Sequence, residues 1–173
     1  MIVTLDEVKE YLQIPSEDTS LDVKLQYITD GIEKRTKTFC KQDFVLAEYT
    51  ERIKFEGGFG YVTNTPLVSI SKVEDDDGYE YPFEIYADKQ GEISLLFLTN
   101  REYIVTYTGG VAVEDIPSDI KLAILQWVEY TFNNQAGIKN FSITGYSQSV
   151  QLTPEGMPFE VSRILNSYTH NKV

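Results

Sequence analysis

The stretch YTGGVAVEDIPSDIKLAILQWVEYTFNN, residues 107–134, contains the change of secondary structure that decides the fold. It begins as the end of a strand. Gly109 and Gly110 stop that strand, because glycine weakens a strand interior and marks tight bends. Pro117 suits the first position of a helix, and apolar residues then recur at helical spacing. The stretch therefore predicts a strand that leads directly into a helix over 117–133.

The helix predicted over 117–133 is apolar around an arc of about 220°, roughly double the stripe of a helix that lies on one core. Two explanations fit this width. Either the helix is central and is covered on both sides, or one ridge forms the core while a second ridge meets another subunit. The candidate residues for this subunit or core contact are Leu125, Trp127, Tyr130 and Phe132.

Two further helices are predicted near the start of the chain. Thr4 and Glu7 have the spacing of a capping box, in which each side chain satisfies a free backbone N–H of the first turn. A short helix is therefore expected over 4–12, and apolar residues at helical spacing predict a longer one over 20–39.

A last helix is predicted over 158–168, where four residues form one narrow apolar stripe at positions i, i+3, i+4 and i+7. These residues are Val161, Ile164, Leu165 and Tyr168. The stripe fits two roles equally: packing on the chain's own helices, or contact with a partner protein.

The segment 44–108 is rich in Val, Ile, Tyr, Phe and Thr, with turn residues at short intervals. This pattern predicts about five antiparallel strands in a meander. The sequence as a whole therefore indicates an α+β fold. Residues 1–43 and 109–173 are expected to form a bundle of about four helices, and 44–108 an inserted antiparallel β region.

The chain is strongly acidic, with 27 acidic and 15 basic residues and a net charge of −12. That sign disfavours a grip on nucleic acid, because affinity for phosphates comes largely from Lys and Arg. Three consecutive acids, Asp75, Asp76 and Asp77, stand before Gly78 and favour a tight, solvated turn. The N-terminal residues lack the pattern of a signal peptide, and no apolar run is long enough to span a membrane. A cytoplasmic protein is expected.

The sequence offers little material for catalysis or for a cofactor. The only histidine is His170, and the only cysteine is Cys40, so histidine-based catalysis, an internal disulfide and a multi-thiolate metal site are all disfavoured. The glycines of FEGGFGY, residues 55–61, lack the Gly-Lys-Ser/Thr ending of a phosphate-binding loop. We therefore predict no enzymatic activity, no cofactor and no metal site.

Five segments distributed over nearly the whole chain resemble those of one known family. They are TLDEVKEYLQI (4–14), YITDGIEKRTKTF (27–39), PLVSISKV (66–73), YIVTYTGGVAVEDIPSDIKLAILQWVEYTFNN (103–134) and the ending GYSQSV…GMPFEVSRILNSY. Their order and character resemble the head–tail connector (adaptor, or head-completion) proteins of long-tailed bacteriophages. The passage from the strand through Gly-Gly and Ile-Pro to the helix is the most specific part. Compact members of that family have little between the helices, so 44–108 would be an elaboration.

The resemblance implies a structural protein of the virion neck that assembles in the host cytoplasm. Such proteins form a ring of about twelve copies through head-to-tail contacts. The ring lies beneath the portal protein, meets a tail-side neck or stopper protein, and continues the channel through which DNA passes without specific binding. The resemblance implies no membrane contact. With this role, the stripe in 158–168 becomes a candidate portal interface, and Asp75, Asp76 and Asp77 become candidate acids of the channel or rim.

Two other functions are compatible with the residues alone. One is a monomeric β-rich module that binds a ligand through the turns 57–62 and 87–91. The other is a hydrolase that uses some of the scattered carboxylates, although nothing in the sequence selects a pair.

Overall fold

The computed structural model describes residues 1–85, 91–134, 151–154 and 156–169. The chain divides into two compact units. The helical unit consists of Met1–Cys40 and Pro117–Val173, and the strand unit consists of Lys41–Ile116. The predicted segment 145–150, the turn 87–91 apart from Gly91, and His170 all lie outside the described residues.

The described part of the helical unit contains four helices, as the sequence predicts. They are α1 (Leu5–Tyr11), α2 (Asp22–Cys40), α3 (Ser118–Asn134) and α4 (Phe159–Asn166). The capping box at the start of α1 is present: the Glu7 N–H donates to Thr4 Oγ1 at 3.2 Å, and the Thr4 N–H donates to Glu7 Oε2 at 2.6 Å. Pro158 lies one position before α4, at its N-cap, instead of at its first turn.

The core of the helical unit is apolar, and α3 packs against α1, α2 and α4. Its fully or nearly fully buried members include Val8, Leu25, Ile28, Ile32, Ile120, Ile124, Trp127, Val161 and Leu165. Each helix contributes residues at the spacing that the sequence pattern predicts. Burial of large side chains at about 1.5–3 kcal/mol each is the main term that holds these helices together.

Two buried charged groups fix the start of the chain onto α2. Glu33 is almost fully buried, and its Oε1 accepts hydrogen bonds from the N–H groups of Ile2 at 2.6 Å and Val3 at 3.0 Å. The ammonium of Lys9 is 3% exposed, lies 2.6 Å from Asp22 and donates to the carbonyl of Ser16 at 3.0 Å. Buried charges with such partners avoid the large cost of an unpaired charge.

The described part of the strand unit contains six strands in two antiparallel sheets. The strands are β1 (Ala47–Lys54), β2 (Phe59–Tyr61), β3 (Leu67–Glu74), β4 (Phe83–Ile85), β5 (Glu92–Leu95) and β6 (Glu102–Gly109). One sheet has the order β1-β6-β3, and the other has the order β2-β5-β4. The α+β class and the antiparallel pairing that the sequence predicts are confirmed. No helix interrupts the described residues between 65 and 108.

The strand order differs from that of a simple meander. The last strand, β6, is the centre of its sheet and pairs with both β1 and β3, whereas a meander would pair each strand with the next. Alternation of apolar and polar side chains indicates where a strand lies and which face is buried, but not which strand it pairs with. The sequence pattern therefore does not determine the strand order. The division of the chain into a helical domain and an inserted domain at 44–108 stays a prediction.

The structure gives a steric reason for glycine at positions 109 and 110, just before the turn into α3. A Cβ at Gly109 would clash with the carbonyl oxygen of Asn64, and one at Gly110 would lie 2.7 Å from the carbonyl oxygen of Val45. Gly110 also has a φ of 91°, a conformation that other residues adopt only with strain. Glycine is therefore required where β6 ends.

Candidate assembly surfaces

The wide apolar arc of α3 has two differently covered sides. Trp127 is 3% exposed and belongs to the core of the helical unit, whereas Leu125, Tyr130 and Phe132 are half-buried. The Lys24 ammonium of α2 lies 4.8 Å from the centre of the Phe132 ring, a cation–π contact. Phe132 therefore lies towards α2, and the ridge that Leu125, Tyr130 and Phe132 form remains partly exposed. A role for this ridge between subunits stays a prediction.

The stripe on α4 faces the bundle of its own chain. Val161 and Leu165 are 1% and 0% exposed, and Ile164 is half-buried. The Tyr168 hydroxyl donates to the carboxylate of Asp119 on α3 at 2.8 Å. Burial and this hydrogen bond raise the pKa of Tyr168 to about 12. These contacts support the packing alternative for the stripe, since its most buried members are not open to a partner.

The outward side of α4 carries residues that do not belong to the predicted stripe. Phe159 is 52% exposed, and Arg163 and Glu160 form an exposed ion pair at 3.0 Å. Tyr130 of α3 and Phe159 and Glu160 of α4 line a cleft of about 650 Å³ between these two helices. The sequence signal for this surface is that Phe159 is an aromatic residue outside the predicted apolar stripe of the helix.

The three consecutive acids form the tight turn that the sequence predicts, and two of them have partners within the strand unit. Asp75 Oδ1 accepts hydrogen bonds from the N–H groups of Asp77 at 3.1 Å and Tyr79 at 3.0 Å, and its Oδ2 accepts one from the Tyr81 hydroxyl at 2.8 Å. Asp76 forms a two-pronged ion pair with Arg52 at 2.6 and 3.2 Å. Arg52 offsets the charge of Asp76, whereas the neutral donors around Asp75 leave its charge in place. A role of these acids in a channel or rim stays a prediction.

The titratable groups of the described residues show little that indicates catalysis. Burial raises the pKa of the Cys40 thiol to about 12, so this thiol is inert near neutral pH. In the part of the chain that the structure describes, no group of three or more His, Cys, Asp or Glu side chains could hold a metal ion. None of its helices is long and apolar enough to cross a bilayer.

Two exposed apolar surfaces escape an analysis that follows only the core stripes. On α2, Val23 and Tyr27 are 70% and 76% exposed. In the connection between β5 and β6, Leu96 and Leu98 are 57% and 87% exposed. A helical wheel of 22–40 would have separated Tyr27 from the core positions of α2, because these positions recur every three or four residues. These residues are candidates for an interaction site, since a large contiguous apolar patch on a surface marks one.

Comparison with known proteins identifies one family and one fold. The chain matches the family model described as head completion protein over residues 1–170. No curated protein is significantly similar in sequence.

Three solved structures share the fold, at low sequence identity. A structure of the neck of an empty gene transfer agent (GTA) particle, computed with C6 symmetry, matches with a TM-score of 0.68 and 12% identity, covering 99% of this chain and 91% of that chain. A virion of the native particle gives a TM-score of 0.66 at 12% identity, with the same coverage. The neck of the native particle, computed with C12 symmetry, gives 0.55 at 15% identity, with 96% and 89% covered.

Proposed function

The chain belongs to the head completion protein family, and we propose that it is a structural protein of the neck that joins the capsid of a tailed phage to its tail. One observation carries this proposal: the family match extends over residues 1–170, so it includes the helical unit and the strand unit together. The fold is also shared, over nearly the full length, with chains of GTA neck and virion structures. A ligand-binding module built on the strands alone would not explain the match of the helices.

A closed ring is the form in which such a protein can surround a channel. A ring of identical copies needs a heterologous interface, in which one surface of each copy meets a different surface of the next. Two similar neck structures were computed with C6 and C12 symmetry, and a ring of twelve copies is compatible with both. We therefore propose a ring of about twelve copies, in keeping with closed cyclic symmetry.

The proposed partners are the portal protein on the capsid side and a neck or stopper protein on the tail side. The outward side of α4, with its exposed Phe159, offers an aromatic residue of the kind that is enriched at protein interfaces. The net charge of −12 keeps DNA from adhering, because phosphates and carboxylates repel each other. DNA would therefore pass through the ring without specific binding. The proposed role is architectural and needs no catalytic group.

The proposal can be tested with tailless, DNA-filled heads from the phage that encodes this chain, prepared without its gene product. Purified protein should bind these heads and restore the attachment of separately purified tails. Heads that lack the portal are the matched control and should bind no protein. Normal tail attachment in the absence of the protein would contradict the proposed function.

A further inference from the structure

One face of α2 points away from the core of the helical unit along its whole length. We call it the outer face of α2, and its defining residues are Val23, Lys24, Tyr27, Gly31, Lys34 and Arg35. All six are exposed and fall within an arc of about 120° on a helix with 3.6 residues per turn. They therefore form one continuous surface about 18 Å long, at 1.5 Å rise per residue.

The centre of this face is apolar and open. Tyr27 and Val23 are 76% and 70% exposed, one helical turn apart. Gly31 follows one turn later, and nothing lies within 4 Å of the place where its Cβ would be. A partner that buries these large apolar side chains would gain free energy, because their surface is removed from water.

The charge of this face is opposite to that of the chain as a whole. It carries Lys34 and Arg35, with Lys24 at its edge, where the ammonium lies over the Phe132 ring of α3, and one acid at its margin, Asp30, which accepts a hydrogen bond from Gln26 at 2.9 Å. Within the described residues, Lys34 and Arg35 form no ion pair. A basic surface on a chain with a net charge of −12 is complementary to most of the remaining surface of that chain.

A dense acidic surface lies in the same unit, on and just after α1. Asp6 and Glu10 are exposed one turn apart, and Glu17 and Asp18 are exposed in the following turn. Lys9 lies between these acids in the sequence; its ammonium is buried against Asp22 and the Ser16 carbonyl, and its charge also acts on Asp18, so the excess of acid rests mainly on Asp6, Glu10 and Glu17. A specific protein interface often has this composition, with Tyr, Arg and exposed apolar groups on one side and carboxylates on the other.

We propose that the outer face of α2 in one copy docks on the acidic surface around α1 in a second copy, and that this contact closes the ring. The inference rests on the proposed function, since it names the surfaces that a ring of this protein would join. The two surfaces are different parts of the same unit, so each copy can donate one and accept the other, as a heterologous ring requires. DNA is a poorer occupant, because three bases give few phosphate contacts on a chain of this net charge.

Charge reversal on each side tests this contact. Variant A carries Lys34→Glu and Arg35→Glu, and variant B carries Asp6→Lys and Glu10→Lys. The changes in A are on exposed side chains in the interior of α2, so A should keep the thermal stability of the unmodified protein. B should have a slightly lower melting temperature, because Asp6 lies in the first turn of α1, where a base is unfavourable. On tailless heads, A alone and B alone should each lose the ring, measured as copies bound per head and as ring density by cryo-electron microscopy. A chain that carries all four changes, or an equal mixture of A and B, should recover ring assembly, because every contact then pairs opposite charges.

The control variant Lys54→Glu/Arg101→Glu has the same change in net charge as variant A, on exposed residues of the strand unit, and should assemble normally. Assembly by A or B as complete as that of the unmodified protein would overturn the inference while leaving the proposed function intact. Failure of the unmodified protein to bind heads would overturn the proposed function and, with it, the ring contact. Binding of unmodified protein to a DNA duplex that A no longer binds would also overturn the inference, because the outer face of α2 would then serve DNA.

Discussion

The hydroxyl of Tyr107 donates a 2.6 Å hydrogen bond to Glu51 Oε1 from the centre of the strand unit. Tyr107 is fully buried, and it also accepts a hydrogen bond from the Asn64 N–H at 3.0 Å. Asn64 Nδ2 donates to the same Glu51 oxygen at 2.9 Å. Burial, together with the bond to Glu51, raises the pKa of Tyr107, so the phenol stays protonated and acts as a donor. This network ties β6 and β1 to the 62–66 connection.

Replacing Tyr107 with phenylalanine should destabilise the protein without changing its packing volume appreciably. The change leaves Glu51 and Asn64 without one partner each, and a lost bond to a charged or buried polar group costs about 1–3 kcal/mol. Urea unfolding should show a lower midpoint with the same slope. Tyr79→Phe is a matched control, since Tyr79 is 66% exposed, and it should leave the midpoint unchanged. Equal midpoints for Tyr107→Phe and the unmodified protein would show that the network contributes nothing.

Leu165→Ala should distinguish the packing role of α4 from its proposed partner role. Leu165 is 0% exposed, and truncation of a buried leucine costs about 2–5 kcal/mol, so the melting temperature should fall. Phe159→Ala should leave the melting temperature nearly unchanged and weaken binding to portal-bearing heads, because Phe159 is 52% exposed. Full binding by Phe159→Ala would argue against α4 as the portal contact.

The turn at Asp75 should make stability sensitive to acid. Hydrogen bonds from the Tyr79 N–H and the Tyr81 hydroxyl hold the pKa of Asp75 below its usual value. A carboxyl whose folded-state pKa is lowered stabilises the fold above its unfolded pKa, about 3.9, and this contribution is lost as the pH falls through the folded value. Asp75→Asn should therefore lower the urea midpoint at pH 7 and have a smaller effect near pH 2. An equal effect at both pH values would exclude ionisation of Asp75 as the cause.

The unmodified protein should not bind DNA. At a net charge of −12, few counterions are released from a duplex, so no shift is expected in a gel assay even at low salt, where phosphate contacts are strongest. Acidic residues that line a channel would repel DNA in the same way. Asp77→Asn tests whether Asp77 takes part, and the expected result is slower DNA release from assembled particles. Micromolar DNA binding at physiological salt would contradict the conduit role. Unchanged release would remove only the assignment of Asp77.

The sequence predicts those features of the fold that depend on local pattern. The capping box at Thr4, the glycines before Pro117 and the periodic stripes locate the four helices within one or two residues of their observed bounds. The position of β6 between β1 and β3 was not predictable in this way, because strand pairing depends on contacts that are distant in sequence. An α+β class therefore follows from the residues, whereas the sheet order does not.

The candidate surfaces were harder to predict, for a related reason. A stripe such as Val161 and Leu165 identifies a face that avoids water, but the pattern does not distinguish the chain's own core from a partner. A helical wheel separates Tyr27 from the core positions of α2, and the structure adds that the described residues leave it 76% exposed. The partners of Asp75 and Asp76 include Arg52, which is distant in sequence, so composition alone presents these acids as free.

The most direct test of the neck role is a cryo-electron microscopy reconstruction of tailless heads after incubation with the purified protein. The account predicts a closed ring of about twelve copies against the outer side of the portal, with cyclic symmetry and an open axial channel. It also predicts that tails added afterwards attach to these heads and not to untreated ones. Heads that show no added density at the portal after incubation, or protein that binds elsewhere on the capsid, would contradict the account.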